Sequence, residues 1–213
     1  EAQYLSSRLV RDALAKRLEQ RDGPEIVMVV TPFSHGFFEK KVLGVNRDRI
    51  MRRLNRLPGA HRLRFYYPVV PPADQGVEDC KVLIHAKVMI VDDDFLRVGS
   101  GNLSNRSMGL DTECDIAIEA TGDASGEATR RAIAGVRARL IGEHLGVAPE
   151  RVTEAVAAKG SLIAAIEALI GGPRTFRRFD PGDGPTRMVL GTRIVDPPRP
   201  WEPLWFLSRK GRA

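Results

Sequence analysis

Apolar and polar positions along the chain divide it into helices and strands in turn. Residues 5–21 place Leu9, Ala13 and Leu18 on one helical face, and Gly23-Pro24 stop that helix. EIVMVVT at 25–31 is a short apolar run between breakers, which predicts a buried strand. A second helix is expected over about 36–57, ended by Pro58-Gly59, followed by an alternating strand at 62–69 and a Pro-rich loop at 68–76. Strands at 82–92 and 95–100 flank the acidic turn 92–94 and suit a hairpin. Another strand is expected at 113–120. Over 124–145, Ala132, Ile133, Val136, Leu140 and Ile141 recur at helical spacing, with Gly146 as the C-cap. A short helical pair covers 149–170, and beyond Gly171 the periodicity fades into Gly, Pro and Arg. Helices interleaved with strands predict an α/β fold, and the hairpin makes its sheet mixed, flanked by helices. Residues 1–146 form the predicted body, with the helical pair and an irregular tail (147–213) packed on it.

Composition narrows this picture only a little. The 213 residues are 43% hydrophobic and 28% charged, enough for one sizeable core. Thirty-three basic against 27 acidic side chains leave a net charge of +6, which favours anionic partners without selecting one. Cys80 and Cys114 make neither a disulfide framework nor a metal cluster, and a reduced compartment is the expectation. No apolar run reaches the roughly 18 residues of a bilayer span; SLIAAIEALIGG at 161–172 is short and carries Glu167. The chain opens at Glu1 without an initiator Met and reads as a fragment. Localisation is therefore open, the cytoplasm or the cytoplasmic face of a membrane being the default.

IHAKVMIVDDDFLRVGSGN, residues 84–102, carries the chemistry. In a strand, side chains alternate faces. Ile84, Ala86, Val88 and Ile90 form one aliphatic face, while His85, Lys87, Met89 and Val91 form the other. An imidazole and an ammonium side by side on a strand are costly unless an anion or water meets them. A returning strand brings Ser100 and Asn102 to the same end of the hairpin, with Gly99 and Gly101 expected to let a ligand approach the backbone. A phosphate fits such a point.

The pattern His85-x-Lys87-x4-Asp92-x6-Gly99-Ser100-x-Asn102 resembles the HKD signature of the phospholipase D superfamily. NRSMGLDTECDIAIEA resembles the segment after the second motif of bacterial members, and EAQY at the start resembles the Glu-Asn-Gln-Tyr that opens the second half of two-motif members, with Ala2 in place of Asn. The resemblance covers about residues 1–145. It implies the second half of an enzyme in which two motifs share one phosphodiester site and no metal or cofactor is needed. One histidine attacks phosphorus to give a phosphohistidine; the other protonates the leaving alcohol. His85 would then be the general acid, Lys87 and Asn102 phosphate ligands, and Ser100 a supporting hydrogen-bond partner. Relatives hold the motif histidine with a carboxylate on the next strand, matched here by Glu113, with Asp111 and Asp115 as neighbouring alternatives. The implied partners are the N-terminal HKD half, or a second copy, and a phospholipid substrate at a membrane surface; nucleic acid is less favoured. The rivals are a single-motif dimeric endonuclease-like phosphodiesterase and a non-catalytic scaffold half.

Plainer roles fit several other residues. Asp92 has the opposite parity to His85 and reads as structural, an Asx-type turn or an ion-pair partner. His35 reads as a loop histidine, and His61 and His144 lack a motif Lys and Asn. The basic stretch 46–64 carries Ile50, Met51, Leu54 and Leu57 as one helical stripe, which makes its arginines a solvated face. Trp201 and Trp205 read as anchors tying the tail to the body.

Overall fold

In a computed structural model, residues 1–32, 43–74, 76–184 and 192–197 are described. The elements run α1 (Arg8–Glu19), β1 (Ile26–Val29), α2 (Val45–Leu54), a 3-10 turn (Pro58–Arg62), β2 (Leu63–Val70), β3 (Cys80–Lys81), β4 (Val88–Val91) and β5 (Phe95–Gly99). They continue with α3 (Asn105–Gly109), β6 (Asp115–Glu119), α4 (Ala124–Leu145), α5 (Pro149–Lys159), α6 (Leu162–Leu169), β7 (Thr175–Arg178) and α7 (Thr192–Val195). The fold is α/β, with mixed sheets flanked by helices.

Strand β2 lies at the centre of the first sheet. It pairs parallel with β1 and antiparallel with β3 and β7. Strands β4, β5 and β6 form an antiparallel meander. Ala2 joins the two sheets: it bridges Val30 in parallel and Lys87 in antiparallel fashion. The backbones of Glu1 and Val88 exchange hydrogen bonds beside it.

Alternation along β1 and β2 separates two cores. Met28 and Phe65 enter a core under α1 and α2 with Leu5, Leu18, Ile50, Met51 and Leu54. Their neighbours Val29 and Tyr66 enter a second core under α4, α5 and α6 with Ile84, Leu145, Ile166 and Phe176. Phe176 stacks on Tyr66, ring centroids 5.3 Å apart. The stretch after Gly171 is therefore less irregular than its composition suggests. TFRR forms a strand because Thr175 and Phe176 are buried, while Arg177 and Arg178 find Asp79 and Glu167 at the surface.

The expected strand 82–92 is the clearest departure. Only Val88–Val91 forms a ladder. Between residues 82 and 87 the partners change at each step: Val82 donates to the Pro68 carbonyl, Ile84 exchanges bonds with the Thr31 hydroxyl, and Lys87 meets Ala2. No single neighbouring strand accompanies this segment.

The hairpin turn lies where the acidic triplet predicts it. Asp92 and Asp93 take left-handed φ values of 52° and 57°, and the Asp94 amide donates to Val91, a geometry for which Asp is one of the better non-glycine residues. The ion pairs belong to Asp93 with Arg137 and Asp94 with Arg130, which moor the turn on α4. Asp92 stays exposed and supplies only the turn. Gly146 closes α4 in the left-handed region (φ 66°).

At the other end of α4, Asp123 is the N-cap. Its carboxylate accepts from the Thr121 and Ser125 hydroxyls and the Gly126 amide, which pull its pKa down to about 2. The folded value is depressed, so this stabilisation is present above 3.8 and is lost as pH falls toward about 2. Asp123→Asn keeps a capping side chain but no charge. In urea titrations it is expected to be less stable than the parent at neutral pH, and the gap should close across that acid window.

Candidate active site

Lys87 is buried, 7% exposed, where the two sheets meet. Its Nζ donates to the Gln3 side-chain oxygen (3.1 Å) and to the carbonyl of His85 (2.7 Å). Burial pushes its pKa down, and the Glu113 carboxylate nearby only partly offsets this. His85, two residues earlier, is exposed, and its imidazole forms no hydrogen bond among the described residues. Ile84 and Ala86, of the other parity, pack into the core under α4, α5 and α6. Gln3, which aims the ammonium, has no role in the sequence reading beyond its place in EAQY; its partnership with Lys87 spans 84 residues.

Beyond β5 the chain turns through Gly99-Ser100-Gly101-Asn102. Ser100 donates to Glu113 (2.6 Å) and accepts from the Cys114 amide (2.9 Å). The expected hydrogen bond from the His85 imidazole to Glu113 is thus absent; the carboxylate accepts from the Ser100 hydroxyl instead. The two neighbouring carboxylates are engaged elsewhere. Asp111 is gripped by Arg106, and Asp115 pairs with Arg97 at 2.7 Å. Glu113 alone of the three lies beside both Lys87 and Ser100. Asn102 is half-buried, and its side-chain oxygen is buried with no partner among the described residues. A buried oxygen of this kind needs a donor.

The glycines serve packing rather than ligand approach. A Cβ on Gly99 would lie 1.9 Å from Asp115 Oδ1 and 2.5 Å from the Cys114 carbonyl; one on Gly101 would meet Arg97 and Asp115. The Arg97–Asp115 pair fills that space and binds both the amide and the carbonyl of Gly101, holding the turn that carries Asn102.

Other sequence candidates lie apart from this cluster. His61 contacts the Pro58 carbonyl in its own turn, and His144 pairs with Glu1 and packs against Phe176. His35, Trp201 and Trp205 fall outside the described residues. Cys80 and Cys114 are free and exposed. Among the described residues no cluster of His, Cys, Asp and Glu fits a metal ion, and no helix is long and apolar enough to cross a membrane.

Gly99→Ala should therefore damage the fold itself, by about 1–3 kcal/mol for an unaccommodated methyl, read as a lower denaturant midpoint. Gly122→Ala, where the added carbon meets open space, serves as the control and should shift the midpoint little. Equal midpoints for the two variants would contradict this packing.

Comparison with known proteins bears on the same stretch. Residues 72–161 match the family model described as Phospholipase D. Phospholipase D alpha 1 of Spuriopimpinella brachycarpa is 41% identical over 69 residues, covering 31% of this chain and 8% of that protein. Phospholipase D alpha 1 of Nicotiana tabacum is 40% identical over 72 residues, covering 32% of the chain and 9% of the protein. Phospholipase D delta of Arabidopsis thaliana is 36% identical over 78 residues, covering 34% and 9%. The chain spans less than a tenth of the length of these relatives.

Proposed function

Because the chain belongs to the phospholipase D superfamily, we propose that it supplies one half of a phosphodiester site that cleaves phospholipids by hydrolysis or transphosphatidylation. The observation that carries this reading is Lys87, a buried ammonium held by a side-chain amide and a backbone carbonyl, with no carboxylate in contact among the described residues. Such a cation is costly until an anion meets it. A phosphate oxygen is that anion.

In the proposed reaction an imidazole from the partner half attacks phosphorus, and the bond to the leaving alcohol breaks. His85, protonated, gives its proton to the departing oxygen. It then takes a proton from water or an acceptor alcohol, whose oxygen attacks the phosphohistidine and frees the partner imidazole. Lys87 and the Asn102 amide group bind the non-bridging oxygens. Glu113, through the Ser100 hydroxyl, orients the loop that carries Asn102. No metal or cofactor takes part.

One imidazole cannot stand on both sides of phosphorus, so the partner is a second HKD half or a second copy of this chain. Its proposed seat is the side on which His85 is exposed.

The purified chain as a proven monomer is expected to be inactive on a chromogenic phosphodiester. Turnover by a monomer, abolished by His85→Ala, would overturn the two-half reading. Turnover confined to a dimer would support the single-motif alternative. In a complete two-half enzyme, His85→Ala should lower turnover about a hundred- to ten-thousand-fold. Glu113→Gln should lower it while leaving the fold intact. Should Asp111→Asn prove damaging and Glu113→Gln silent, the carboxylate assignment is wrong.

A further inference from the structure

Helices α1 and α2 lie over the same core, burying Ala15 and Leu18 from one and Ile50, Met51 and Leu54 from the other. Both helices carry arginines at helical spacing on their outer sides. Arg8 and Arg11 are three apart on α1; Arg49, Arg52 and Arg53 fall three and four apart on α2. Arg49 is half-buried, and among the described residues its Nε is buried with no hydrogen-bond partner. This is not the fully solvated face that the stripe pattern predicts.

Several arginines elsewhere in the molecule are neutralised. Arg97, Arg130, Arg137 and Arg177 each meet a carboxylate within 3 Å. Within the cluster, Arg11 pairs with its sequence neighbour Asp12, and Arg52 donates to the Pro181 and Gly182 carbonyls. Among the described residues, Arg8, Arg49 and Arg53 pair with no carboxylate. Burial, then Arg11, Arg53, Arg8 and Arg52, all push the Arg49 pKa down, and no acidic group opposes them. Like charges gathered around a partly desolvated guanidinium destabilise a fold unless an anion joins them.

We propose that Arg8, Arg49 and Arg53, with Arg11 and Arg52 beside them, form a second anion site that takes a phosphate group and is separate from the His85 half-site. Guanidinium forks match phosphate oxygens in pairs, and several converging on one group suit a dianion better than a chloride. The phosphate comes either from a soluble phosphorylated compound or from an anionic lipid headgroup. The site adjoins the catalytic loop without sharing its residues: the amides of Ser6 and Ser7 bond the Leu103 carbonyl, and the Arg8 amide bonds the Asn105 side chain. Occupancy at the start of α1 would therefore stiffen the turn that presents Asn102.

The test uses the whole 213-residue chain, with Lys87→Met, which removes the cation of the half-site, as a second background to separate the two sites. Pyrophosphate is expected to raise the melting temperature more than sodium chloride of equal ionic strength, in both backgrounds. Arg49→Gln should weaken pyrophosphate binding at least tenfold by calorimetry, while melting no lower than the parent in buffer without multivalent anions. Arg53→Gln, at an exposed position, serves if Arg49→Gln does not fold. Vesicles of phosphatidylcholine with and without phosphatidate distinguish the sources. Arginine-dependent capture by phosphatidate vesicles with weak pyrophosphate binding identifies a headgroup, and the converse a soluble phosphate. No pyrophosphate effect beyond ionic strength, or one unchanged in both arginine variants, overturns the proposal.

Discussion

The edge of this molecule that carries His85 and Lys87 depends on one seam. Ala2 lies between Val30 and Lys87, taking backbone pairings on both sides, and by doing so it turns two small sheets into a continuous surface. Neither sheet alone would bury Lys87. Once the seam is closed, Gln3 follows directly and reaches the Lys87 ammonium, so the residue that joins the sheets also sets the position of the residue that aims the cation. The small side chain at position 2, 4% exposed, is what so close a junction accommodates.

From the seam outward, the site is assembled by constraints that have little to do with substrate. The acidic turn 92–94 is moored on α4 by Arg137 and Arg130. The Gly99–Asn102 turn is clamped by Arg97 and Asp115 and tied to Glu113 through Ser100. These contacts fix two ends of the hairpin independently; His85 stays exposed, and among the described residues the Asn102 amide oxygen is unsatisfied. Rigid supports around a few unmet polar groups are what binding without large rearrangement requires.

Much of this was legible in the sequence, for physical reasons that also mark where legibility ends. The α4 helix and its Gly146 cap, the aspartate turn, and the alternation that sends Ile84 and Ala86 inward all depend on local periodicity, which a sequence carries. The interrupted ladder at 82–87 depends on Thr31, Pro68 and Ala2, distant residues that no local pattern announces. Strand β7 was hidden because a four-residue run among Gly, Pro and Arg has too few positions to establish a period. Gly99 and Gly101 are expected to admit a ligand to the backbone, but the neighbours that occupy the space are Asp115, the Cys114 carbonyl and Arg97. Glu113 is expected to meet His85, but its partner is the Ser100 hydroxyl. Gln3 needed the folded chain.

Charge accounts for the rest. Many arginines here meet a carboxylate; among the described residues Lys87 and, in the α1–α2 cluster, Arg8, Arg49 and Arg53 pair with none. The central claim is that His85, Lys87 and Asn102 act together as one phosphate half-site. It is tested most directly by nuclear magnetic resonance of the three side chains as a non-hydrolysable phosphodiester analogue is added, in an Arg49→Gln background that silences the second cluster. The account predicts that all three resonances titrate with one affinity and that the Lys87 ammonium becomes harder to deprotonate as the anion binds. Saturating analogue that leaves Lys87 and Asn102 unmoved, or shifts them with affinities unrelated to that of His85, would contradict it.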